Sequence, residues 1–192
     1  MATDTNSLTR RQMLSGTVLS CAGIAAGALA PPVLLAGTAQ AAGPSGDVGI
    51  LNVALGLEHE GIAAYQLGAE SKLLTPEVLK TAVKFQDDHK VHRDLLIDAI
   101  KKLGGKPVEA KSMPEYAKAL NAASLKSQED VLKLALRLEL GAINAYLGVI
   151  PSFADRGLAK VSGRLSADET VHWTTLESVL GLPLPKAMQF GA

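Results

Sequence analysis

The sequence predicts an all-α protein of four long helices, arranged as two helical hairpins joined by a long crossover. Three observations carry this expectation. Alanine and leucine are abundant while aromatic residues make up only 4% of the 192 residues, a balance that favours helices over sheets. Apolar residues recur at alternating spacings of three and four along four separate stretches, each bounded by helix start and stop signals. The run from Leu57 to Tyr65, LEHEGIAAY, has a second copy, LELGAINAY, from Leu138 to Tyr146.

The length suits one domain with a sizeable core. Basic and acidic residues are equal at 19 each, which removes any electrostatic case for a nucleic-acid or anionic-membrane partner. Thr9-Arg10-Arg11-Gln12-Met13-Leu14 is a twin-arginine sequence. A weakly apolar, glycine-interrupted stretch from Ser15 to Ala36 and the small-x-small site Ala39-Gln40-Ala41 follow it. Residues 1–41 therefore read as a signal peptide and residues 42–192 as the mature domain, periplasmic or secreted, with the twin-arginine translocase as the export partner. As a membrane anchor, Ser15 to Ala30 is short and rich in glycine. As a lipoprotein site, Cys21 lies so close to the arginines that little apolar region remains. Cleavage removes Cys21, the only cysteine, so the mature chain has no disulfide and no thiolate ligand.

Apolar periodicity begins after Gly43 to Gly46 and predicts a first helix from about Val48 to Leu73. Thr75-Pro76 caps the second, which Gly104-Gly105 and Pro107 end. Lys106 to Lys126 is the crossover, with a short helix expected from Pro114 to Ala122. Ser127 with Asp130 starts the third long helix, and Pro151 stops it. The fourth runs from about Arg156 to Leu180, where Gly181 and Pro183 close it; Leu182 to Ala192 reads as a tail.

The inward face of each helix follows from the same spacing. The first gives Leu51, Leu55, Glu58, Ile62 and Tyr65, and the third gives Leu132, Leu136, Glu139, Ile143 and Tyr146. The second places His89 and His92 between Phe85 and Leu96, and the fourth places Glu169 and His172 between Leu165 and Leu176. Apart from the tyrosines, three glutamates and three histidines are the only ionisable groups in these stripes. Each half of the chain shows the same order, a Glu-x6-Tyr helix followed by a helix with a polar residue and a histidine three apart. Burying an unpaired carboxylate costs several kcal/mol, so something must compensate. Carboxylate and imidazole together are ligands that iron, manganese and zinc accept, and bound metal would supply that compensation.

These residues resemble the ferritin-like proteins, of the rubrerythrin and bacterioferritin type, over about residues 48 to 180. The resemblance implies a ferritin-like four-helix bundle holding two divalent metal ions, iron or manganese ahead of zinc. A glutamate from each of two helices and a Glu-x-x-His pair from each of the other two would hold them. On that pattern the metal residues are Glu58, His89, His92, Glu139, Glu169 and His172. Position 89 departs from it, since histidine stands where the family has glutamate, leaving three carboxylates against two divalent ions. Asp88 and Glu60 are nearby acids but point round their helices away from the ligands. His89 outside the ligand set would leave an asymmetric or single-metal site.

Tyr65 and Tyr146 read either as core packing with a hydrogen bond to a glutamate or water, or as catalytic residues in a redox or proton-relay role. His59 lies off the seam and reads as solvated, Asp87-Asp88 as a solvated face, and Trp173 as packing or an interface. The implied function is redox chemistry with O2 or peroxide as the small-molecule substrate, of peroxidase, catalase or ferroxidase type. No Cys-x-x-Cys is present, so a rubredoxin-type electron donor within the chain is not expected. The alternative is a non-catalytic, metal-sequestering or stress-protective binding protein. Alanine-rich helix surfaces permit a homodimer.

Overall fold

A computed structural model describes residues 44–187. The signal peptide expected over residues 1–41, with Cys21, and the last five residues of the tail lie outside the described residues. Among the described residues there are five α-helices and no strand. They are α1 (Pro44–Glu70), α2 (Pro76–Lys102), α3 (Met113–Ala119), α4 (Gln128–Val149) and α5 (Arg156–Val179). Single 3-10 turns at Ala122–Ser124 and Ile150–Ser152 complete the order.

The helix boundaries follow local chemistry. Thr75 caps α2, its side chain accepting from the Val78 amide, with Pro76 at the first position where a missing N–H costs nothing. Ser127 caps α4 by accepting from the Asp130 amide at 3.1 Å. Asp155 caps α5 by accepting from Gly157 N at 2.6 Å. Pro151 ends α4 by tightening the chain into the 3-10 turn. Beyond α2 and α5, Gly104 and Gly181 take φ of +76° and +68°, left-handed values that favour a residue without Cβ.

α1 begins four residues earlier than the periodicity predicts. Residues 44–46 carry no apolar periodicity, so the start of the helix there rests on a tertiary contact. Asp47, in the first turn, is buried and accepts from the amides of Ala154 (2.9 Å) and Asp155 (3.1 Å). This fastens the start of α1 to the α4–α5 connection.

α1 packs along α2 and α4 along α5, giving the two expected hairpins, and α1 also packs on α4. The crossover from α2 to α4 is held against α1 by side chains. Asn52 donates to Lys106 O at 3.1 Å and accepts from Val108 N at 2.7 Å. His59 lies 3.2 Å from Val108 O through Nε2. His59, expected to be solvated, is therefore half-buried and fastens the crossover. Trp173 is fully buried in the free chain, which makes it a packing residue.

Two apolar clusters fill the ends of the helix assembly. One contains Leu51, Leu55, Leu96, Ile100, Tyr146 and Leu165. The other contains Tyr65, Ala82, Phe85, Leu132, Ala135 and Leu176. Each long helix passes from one cluster to the other, and between them it carries a buried glutamate, histidine or both.

Candidate metal centre

The layer between the clusters holds Glu58 from α1, His89 and His92 from α2, Glu139 from α4, and Glu169 and His172 from α5, each 5% exposed or less. Seam positions put them there: helical spacing of three and four returns each to the inward stripe that its apolar neighbours define. The structure thus brings together all six residues that the repeat singles out.

They form two overlapping groups, Glu58–His89–His92–Glu169 and His89–Glu139–Glu169–His172, in which the ligand-type atoms lie within 4.8 Å of one another. In the first, His89 Nδ1 is 2.8 Å from Glu58 Oε2 and His92 Nδ1 is 3.1 Å from Glu169 Oε1. In the second, His89 Nε2 is 3.3 Å from Glu139 Oε1 and His172 Nδ1 is 3.0 Å from Glu169 Oε2.

The tyrosines reach across the repeats. Tyr65 donates to Glu139 Oε1, and Tyr146 donates to Glu58 Oε1. Burial and the adjacent carboxylate raise both phenols well above their ordinary range, so each remains an O–H donor.

Two further carboxylates complete the arrangement: Asp88, which helical spacing turns away from the ligands of its own helix, and Asp168, which the sequence pattern did not single out. Asp88 Oδ2 is 3.3 Å from His172 Nε2, and Asp168 Oδ2 is 3.4 Å from His92 Nε2. Asp88, read as part of a solvated face, is instead bound on one side to Lys84 and on the other to His172. A signal was present, because both histidine helices carry Asp-x3-His, at Asp88–His92 and Asp168–His172. Each aspartate serves the histidine of the opposite repeat, and a carboxylate on the outer ring nitrogen fixes imidazole orientation and raises its basicity.

Electrostatics in the layer are those of carboxylates crowded by imidazoles. Burial opposes ionisation of Glu58, but hydrogen bonds and charge from His89 and His92 outweigh it and bring its carboxyl down to about 2. Glu139 is lowered against the same burial by His172 and His89. At Glu169 burial prevails and the value is raised. Burial also opposes charging the imidazoles, yet Glu169 and Glu58 raise His92 to about 10, and Glu139 and Glu169 raise His172 to about 9.

The donor set fits divalent metal on one further observation. Oε2 of Glu139 is buried with no hydrogen-bond partner among the described residues, although buried polar atoms are nearly always satisfied. A carboxylate oxygen left bare beside two imidazoles is what a cation would complete.

An all-helical protein with paired carboxylate–histidine groups in its core is the class that fold and site define. The chain belongs to the ferritin-like domain family, whose model matches residues 46–182. Among solved structures it is similar to a conserved hypothetical protein, rv2844, from Mycobacterium tuberculosis. The two are 26% identical with a TM-score of 0.57, and the match covers 75% of this chain and 97% of that one. No curated protein matches.

Proposed function

We propose that this chain is an exported ferritin-like four-helix bundle protein that holds two divalent metal ions, iron or manganese, and carries out redox chemistry with O2 or peroxide. The observation that carries the reading is the pair of overlapping buried His/Glu groups, each of four residues. Glu58 and His92 would hold one ion and Glu139 and His172 the other, with Glu169 and His89 between them. When bound, such ions supply electrons to an oxidant and polarise it.

The protein's own residues do the rest. Tyr65 and Tyr146 hold a proton at the phenolic oxygen beside Glu139 and Glu58, where it is available to a reduced oxidant. Asp88 and Asp168 orient His172 and His92. The apolar clusters on either side keep bulk water from the layer. In this reading residues 1–41 direct export by the twin-arginine translocase and are removed, and residues 42–192 act in the periplasm or outside the cell. That route carries folded proteins, which allows metal insertion before the periplasm offers tighter-binding competitors.

Position 89 favours a second reading, a protein that sequesters metal without turnover, because histidine replaces a carboxylate there. Metal analysis of natively exported protein, followed by O2 and peroxide assays, tests both. Two redox-active ions per chain with turnover support the enzyme. Metal without turnover leaves sequestration, and a metal-free chain overturns both readings.

A further inference from the structure

His89 occupies an unusual place in the layer. It and Glu169 are the two residues common to both four-residue groups. Glu169 divides its oxygens between them, Oε1 towards His92 and Oε2 towards His172. His89 divides its nitrogens in the same way. Nδ1 faces the first group, 2.8 Å from Glu58 Oε2 and 3.7 Å from Glu169 Oε1, and Nε2 faces the second, 3.3 Å from Glu139 Oε1. One ring nitrogen thus faces a carboxylate of each half, where a single ion beside each nitrogen could be held.

Gly61 makes this placement available. A Cβ built on Gly61 would lie 3.1 Å from Cε1, 3.2 Å from Nδ1 and 3.3 Å from Nε2 of His89, tighter than ordinary van der Waals contact along the edge that carries both nitrogens. The ring therefore lies against bare α1 backbone, and a side chain at 61 would require it to give way by a few tenths of an ångström.

We propose that His89 is a bridging ligand, an imidazolate that gives Nδ1 to one metal ion and Nε2 to the other, with Gly61 as the positioning residue that seats it. The inference rests on the two-ion reading above. Both nitrogens face carboxylate oxygens. On loading, any proton on a ring nitrogen leaves to solvent as its N–H bond breaks, and each nitrogen directs a lone pair to one ion. The imidazolate then supplies the fourth negative charge beside Glu58, Glu139 and Glu169. That balances two divalent ions and removes the deficit left by the missing carboxylate.

The test uses the mature wild-type chain labelled with 15N-histidine and loaded with zinc(II), a diamagnetic probe. The ring nitrogens are read by long-range proton–nitrogen NMR and the metal by elemental analysis. The expected result is two zinc ions per chain and a His89 ring with no N–H and both nitrogens at metal-bound shifts. Two zinc ions with a His89 nitrogen that is free or still protonated overturn the bridge and leave the two-ion reading standing. One ion or none overturns both. Gly61→Ala is expected to weaken binding of the second ion by about tenfold, and Gly61→Ala/His89→Glu to recover it, since a carboxylate needs less room. Unchanged affinity in Gly61→Ala overturns the role of Gly61.

Discussion

Tyr65 of the first repeat donates its hydroxyl to Glu139 of the second, and the same bond runs in reverse from Tyr146 to Glu58. Each Glu-x6-Tyr stretch therefore supplies a ligand-type carboxylate to one half of the layer and the hydroxyl that steadies the carboxylate of the other half. Removing one hydroxyl acts on the opposite repeat.

Tyr146→Phe leaves Glu58 Oε1 buried without its donor. The expected cost is about 1–3 kcal/mol of stability in the metal-free protein. Chemical denaturation measures it, and a smaller loss in the metal-loaded form would show that a bound ion takes over the role of the hydroxyl.

Asp88→Ala and Asp168→Ala remove the outer partners of His172 and His92. Each is expected to weaken metal binding by about 10–100-fold, as read by competition with a chelator. Asp94→Ala, on the exposed side of the same helix as Asp88, should leave binding unchanged.

The metal-free protein should lose stability at both ends of the pH scale. His92 and His172 are raised in the folded chain to about 10 and about 9 from 6.5. Their contribution is complete below pH 6.5 and is lost as pH rises through 9 to 10. Glu58 is lowered to about 2 from 4.5, so its contribution is present above pH 4.5 and is lost as pH falls towards 2. Thermal melts in chelator should therefore show a maximum between about pH 4.5 and 6.5. A melting temperature that climbs from pH 7 to 10 would contradict this.

Asp47→Ala strips the acceptor from the amides of Ala154 and Asp155. A loss of about 1–3 kcal/mol is expected, with faster hydrogen exchange confined to residues 153–158 and the start of α1. Metal affinity should be unchanged, because Asp47 lies about three turns of helix before Glu58.

The helices, their pairing and the six charged core residues were all legible in the sequence, because apolar spacing along a helix states which residues share a face. Its silence concerned contacts between helices. Spacing places Tyr65 and Glu58 on one face but does not say that Tyr65 reaches Glu139. Asp88 lies off the stripe of its own helix, yet its side chain reaches His172 on α5. Gly61 has no side chain to register in any pattern, and its significance appears only once a ring is found against it. The early start of α1 has the same origin, since Asp47 is stabilised by amides about a hundred residues away.

The reciprocal bonds also bear on how such a chain diverges. A lone hairpin brings one half of the cage and could complete it only against a second hairpin, and two identical hairpins would be bound to carry the same residue at both central positions. Joining them through the crossover frees each position to vary by itself. His89 opposite Glu169 is a difference that a covalently linked pair can hold and a pair of identical subunits cannot.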